Sequence, residues 1–194
     1  MPIDQLVRVG SARPIRRWAD PVLHDRARPV LEFDDELQLL LADMFATNTA
    51  AGGAGLAAPQ VGVPLAAFVY DCVDEDLNRQ VGVVCNPVVE VGDGAARRLE
   101  TWEEGCLSLP GGYADLARPA VATCRGQDQY GRPVELRGTG LLARCLQHET
   151  DHLDGIVFGD RLSTRRRRVL HETHRRASHR YPLGWPVVTD EERP

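Results

Sequence analysis

Residues 148 to 152 read His-Glu-Thr-Asp-His, a run that acts as a unit only on a helix. Positions four apart on an α-helix lie one above the other on the same face. His148 and His152 can then offer two imidazole nitrogens to one metal ion. Glu149 can lie beside the ion without binding it, placed to take a proton from water. The flanking pattern supports a helix from about Thr139 to Leu153. Leu141, Leu142, Cys145 and Leu146 anchor it in a core, Thr139 stands at the N-cap, and Gly155 is placed to end it. The alternative for this run is a helix bearing two surface histidines and a glutamate.

A catalytic ion needs a third protein ligand and one open position. Asp154 follows His152 too closely to share its face. Upstream, Glu104-Gly105-Cys106-Leu107-Ser108-Leu109-Pro110 offers Cys106. The glycine before it permits close backbone approach, and the proline after it stops a strand. A cysteine held this way can present a thiolate; the alternative is a core thiol. A third stretch, Gly53 to Gln60, is nearly free of bulk, and Gln60 is its one polar side chain. Its amide N–H suits a carbonyl oxygen.

The rest of the chain supplies a frame. Residues 20 to 31 carry two prolines and read as an extended arm or turn. A helix is predicted over Asp34 to Thr49, with acids at its start and Leu37, Leu40, Leu41, Met44 and Phe45 as its buried stripe. β-like runs follow at 66–70, 81–85 and 88–91, and a hairpin at 120–127 and 134–137 turns across Tyr130-Gly131-Arg132. Strands with few intervening helices argue for an α+β fold. Five cysteines and no apolar leader argue against a disulfide framework; Cys72, Cys85, Cys124 and Cys145 read as small buried hydrophobes. No apolar run approaches the roughly 18 to 20 residues of a membrane span, so a cytoplasmic location is expected. All 23 basic residues are arginine, a compositional bias that inflates any apparent basic patch. Even so, residues 161–180 hold eight arginines against one acid, Glu172, in a chain of net charge −5. Arg165 to Arg168 read either as a solvated helix face or as a contact for a polyanion. Beyond Tyr181, three prolines and three acids suggest a loosely packed tail.

Three of these segments, Gly53–Gln60, Glu104–Ser108 and Gln147–Gly155, resemble together the signatures of the peptide deformylase family: G-x-G-L-A-A-P-Q, E-G-C-L-S and Q-H-E-x-D-H-L-D-G. The likeness covers about residues 13 to 162; Tyr113 departs from members that carry arginine near that point. It implies antiparallel or mixed β-sheets packed around a central helix carrying the motif, with N-terminal and C-terminal helices. Residues 1–162 would form the catalytic domain and 163–194 an arginine-rich helix and tail. The implied activity is removal of the formyl group from N-formylmethionine on newly made polypeptides. Cys106, His148 and His152 would bind one divalent metal, iron(II) first, with zinc(II), nickel(II) or cobalt(II) as alternatives. Glu149 would be the general base, and Gln60 with the Leu107 backbone N–H would hold the oxyanion. Gly55, Leu56, Gly105 and Cys145 would line the substrate site, and Asp151 and Glu104 are candidates to orient a ligand histidine or a loop arginine. The implied partners are formyl-Met nascent chains and, through the basic segment, a transient ribosome contact, with no membrane and no DNA. Two readings of the residues stand beside this one: a zinc endopeptidase, and a ribosome-binding module with a closed structural metal site.

Overall fold

The computed structural model describes residues 1–92 and 97–187. It is an α+β arrangement of four α-helices and two antiparallel sheets. The helices are α1 (Ile3–Val9), α2 (Asp35–Ala51), α3 (Gly140–Leu153) and α4 (Thr164–Ala177). The larger sheet runs in the order β1 (Gly55–Ala57), β2 (Ala67–Val73), β3 (Arg79–Val91), β6 (Val121–Gln127) and β7 (Pro133–Thr139). β4 (Leu99–Gly105) and β5 (Tyr113–Pro119) form the smaller sheet.

Alternation along β2 shows how the layers assemble. Ala67 and Val69 face a core built with Leu41, Met44 and Phe45 of α2. Phe68, Tyr70 and Cys72 face a second core with Leu142, Cys145 and Leu146 of α3. Successive strand residues point to opposite faces, so β2 is buried on both, α2 covering one and α3 the other. A third core joins Cys106, Leu109, Leu116, Phe158 and Leu170, so α4 closes over the small sheet.

Local chemistry explains the boundaries. Asp34 caps α2, its side chain accepting from the Leu37 N–H at 3.0 Å. The helix runs two residues further than its stripe predicts and stops where Gly52 turns left-handed (φ 67°). The two predicted runs at 81–85 and 88–91 are one strand, β3, with a register shift between Cys85 and Val88. Asn86 sits in that bulge at φ 53°, a conformation asparagine tolerates. Its amide replaces the lost ladder, bonding both the N–H and the C=O of Val30 at 2.8 and 2.9 Å. The hairpin at 121–139 is as predicted, one residue shorter on its first arm and longer on its second. β5 and α1 carried no clear sequence signal. Thr139 precedes α3 as expected, but its side chain makes no capping bond. The predicted loose tail is anchored as far as Val187, where Ile15 N–H donates to Trp185 O at 3.0 Å; residues 188–194 lie outside the described residues.

All five cysteines are free and buried. Burial pushes the thiols of Cys85 and Cys124 from 9.0 to about 12, and the Tyr70 phenol from 10.0 to about 12. Each group keeps its proton in the fold and releases it on unfolding. Their contribution to stability is therefore full below pH 9 and is lost as pH rises toward 12. With no lysine in the chain, few other side chains titrate there. At about 1.4 kcal/mol per tenfold change, each thiol costs up to about 4 kcal/mol by pH 12. Urea unfolding followed by circular dichroism should show stability falling steeply between pH 9 and 11. The Cys85→Ala, Cys124→Ala double variant should show a shallower fall, and an identical pH slope would contradict the assignment.

Candidate metal centre

Three distant stretches meet along one face of α3. The helix carries His148, Glu149 and His152; the end of β4 delivers Glu104 and Gly105, and the turn after it Cys106. The loop from α2 through β1 brings Gly53 to Gln60. One ligand atom each from Cys106, His148 and His152 lies within 4.8 Å of the others, and all three residues are buried. Cys106 Sγ is 3.3 Å from His152 Nε2. One thiolate and two imidazoles form a donor set suited to zinc(II) or iron(II); among the described residues this is the group of histidines, cysteines or acids that could hold an ion.

His148 is held from behind. His148 Nδ1 donates to Glu104 Oε1 at 2.8 Å, which leaves Nε2 as its free lone pair. The His148 ring stacks on Phe158, with centroids 6.1 Å apart. Glu104 is 5% exposed and also accepts from Arg118 Nε and Nη2 at 2.8 and 2.7 Å and from Arg144 Nη1 at 2.7 Å. Burial alone would raise the Glu104 carboxyl. The bonds from Arg118 and His148 outweigh it and hold the group well below the usual carboxylate range. Arg118 reaches on to Asp151 at 2.9 Å, and Arg161 pairs with the same carboxylate. Burial opposes a charge on His148, but its bonds to Cys106 and Glu104 outweigh burial and lift its pKa well above the ordinary value. His152 goes the other way: burial, then the charges of His148 and Arg118, push it well below. A proton on His148 and a metal ion compete for one lone pair, so metal affinity falls with pH.

Glu149 is 4% exposed. Burial pushes it up to about 7, with His148 pulling the other way. Its Oε2 is buried with no hydrogen-bond partner among the described residues. Gln60 is oriented by its own loop: the Ala57 N–H donates to Oε1 at 2.9 Å. That fixes its NH2 toward the Cys106 side, where Nε2 lies 3.7 Å from Cys106 Sγ and 3.3 Å from Ser108 Oγ. The Ser108 N–H also donates to Cys106 Sγ at 3.4 Å. A cleft of about 300 Å³ opens here, lined by Gly55, Gln60, Gly105, Cys106, Leu107, Cys145, His148 and Glu149.

A family model described as polypeptide deformylase matches residues 12–168. The chain belongs to the peptide deformylase family. It is 51% identical over 174 residues to peptide deformylase 1 of Streptomyces avermitilis, covering 90% of this chain and 81% of that one. The fold matches a peptide deformylase from Legionella pneumophila at a TM-score of 0.76 and 39% identity, over 89% of this chain and 100% of that one. A peptide deformylase from Synechococcus elongatus, solved in complex with actinonin, matches at a TM-score of 0.73 and 38% identity, over 89% of each chain. This family member is a peptide deformylase in activity: it removes the N-formyl group from newly synthesised polypeptides.

Of the residues singled out in the sequence, His152 lies under the cleft, fully buried. Leu56 does not line the cleft; its side chain packs in the core beside α2. Arg118 and Arg144 were missed: they lie outside the three signatures, and in a chain whose every base is arginine the residue type carried no signal. The family match also runs into the first turns of α4, which the sequence likeness left out.

At Gly55 the deformylase wall closes directly on Glu149. A Cβ there would lie 2.7 Å from Cys145 Sγ and 2.9 Å from Glu149 Oε1. Gly55→Ala should displace the Glu149 carboxylate. Formate release should fall about 100-fold, the usual cost of a misplacement near 1 Å, while bound metal stays the same. Full activity in Gly55→Ala would contradict this packing.

Proposed function

We propose that Cys106, His148 and His152 hold one divalent ion, with Glu149 as general base and Gln60 as oxyanion donor in formyl hydrolysis. The convergence of those three donors around the unpartnered Glu149 carboxylate is the observation that carries the reading. When bound, the ion supplies Lewis acidity, lowering the pKa of water toward neutrality and polarising the formyl oxygen. Glu149 takes the proton from the attacking water and later returns it to the departing amine. Its desolvated setting keeps its affinity for a proton close to what both transfers need. The Gln60 NH2, held by the Ala57 N–H, donates to the oxygen as negative charge develops there, and the Leu107 N–H is assigned as the second donor. Gly55, Gly105 and Cys145 form the wall against the formyl-methionyl group. The close approach at Gly55 leaves space for a formyl hydrogen and disfavours an acetyl methyl.

We assign iron(II) as the ion, with zinc(II), nickel(II) or cobalt(II) able to replace it, because a thiolate beside two imidazoles suits all four. In this reading α3 is the central helix of a catalytic domain at residues 1–162, and residues 163–194 are an appended segment. Leu170 docks that segment into the core, while Arg165, Arg168, Arg175 and Arg176 remain exposed. That arginine face is proposed to touch ribosomal RNA in the cytoplasm, where nascent chains emerge. Among the described residues no helix is long and apolar enough to cross a membrane.

The decisive variant is Glu149→Gln, which keeps shape and removes the base. Formate release from formyl-Met-Ala should drop about 10²- to 10⁴-fold, with one equivalent of metal still bound. A rate near wild type would contradict the assignment. Binding to ribosomes, measured by co-sedimentation, should weaken as salt rises; salt-independent binding would remove the arginine face from the account.

A further inference from the structure

The cleft has a wall that the assignments above do not use. Tyr181 and Trp185 line it, and both lie beyond residue 168, where the family match ends. They stand on a short strap that crosses back over an N-terminal arm at residues 15–17. Ile15 N–H donates to Trp185 O at 3.0 Å. Arg17 Nη2 donates to the carbonyl oxygens of Tyr181 and Pro182 at 3.1 and 2.9 Å. The Arg17 guanidinium also lies over the Trp185 ring, 5.4 Å from its centroid. The two rings meet edge to face, 5.2 Å apart at 81°. Tyr181 closes on the turn after Cys106: a Cβ on Gly111 would lie 3.2 Å from its Cε2. A strap held at four points by the arm presents two rigid rings at little further entropic cost.

We propose that Tyr181 and Trp185 are specificity-determining residues that contact the peptide beyond the formyl-methionyl group and favour an apolar side chain there. The proposal rests on the reaction centre assigned above. Cys106, His148 and Glu149 form the buried floor of the cleft, whereas Tyr181 and Trp185 are only partly buried. The substrate's amino end must reach the floor, and its chain must leave for solvent, so the following side chains pass the rim. On the strap side the rim is apolar and aromatic, with Leu107 and Pro110 beside the two rings. Arg17 turns its Nη2 to backbone carbonyls and its guanidinium plane to the Trp185 ring. Such a surface gains from burying an aliphatic side chain and gains nothing from a hydroxyl.

Formate release from formyl-Met-Leu-Leu and formyl-Met-Ser-Ser tests this. Wild-type protein should prefer the leucine peptide by about 3- to 10-fold in kcat/KM, the scale of one or two aromatic contacts. Trp185→Ala and Tyr181→Ala should bring that ratio toward one, with the loss in KM rather than kcat. Arg17→Ala, which releases the strap without altering a cleft-lining residue, should do the same. A wild-type ratio of one, a ratio unchanged in both aromatic variants, or an equal loss on both peptides would overturn the proposal. Failure of the reaction-centre assignment looks different: Glu149→Gln would then leave both peptides turning over at the wild-type rate.

Discussion

Glu104 holds a negative charge where burial alone would neutralise it. Two guanidinium groups and one imidazole N–H converge on its two oxygens. Every partner comes from another element: Arg118 from β5, Arg144 and His148 from α3. The carboxylate therefore joins the small sheet to the motif helix and fixes which nitrogen of His148 faces Cys106. A buried pair of this kind adds little net stability relative to apolar packing, but removing one partner strands the others, at about 3–5 kcal/mol. What it secures is geometry: one placement of the small sheet against α3, and so one position for Cys106 against the two histidines.

The reaction centre follows from that placement. Cys106 is delivered by a short turn, and Gln60 by a loop whose own Ala57 N–H sets the amide. Glu149 is carried one residue from His148 into a desolvated space beside Gly55. Gln60 is fixed by a bond within its own loop and Glu149 by close packing against Gly55, so neither depends on substrate for its position. The larger sheet, with β2 buried on both faces, holds the Gly53–Gln60 loop and the motif helix in one frame.

Much of this was legible in the chain. The His-Glu-x-x-His spacing located its own helix, the Glu-Gly-Cys turn offered a thiol that the fold brings beside both histidines, and alternation and turn residues marked the second hairpin. Three things were not. Arg118 and Arg144 acquire meaning only through Glu104, which is 14 and 40 residues away; no local pattern encodes such a partner. β3 read as two strands because a left-handed asparagine and a bulge interrupt its alternation. The strap at Tyr181 and Trp185 read as a loose tail because its composition is that of a loop. Its order comes from Arg17, 164 residues earlier.

The account's central claim is that the Glu104 charge organises the metal centre, and Glu104→Gln tests it most directly. Glutamine keeps the shape, removes the charge, and leaves Cys106, His148 and His152 in the chain. Anaerobic competition titration with zinc(II) and with iron(II), at a temperature where circular dichroism shows both proteins folded, gives the affinity. The expected result is binding about 10- to 100-fold weaker than wild type, the usual cost of losing a partner behind a ligand histidine. Unchanged affinity for both ions would contradict it.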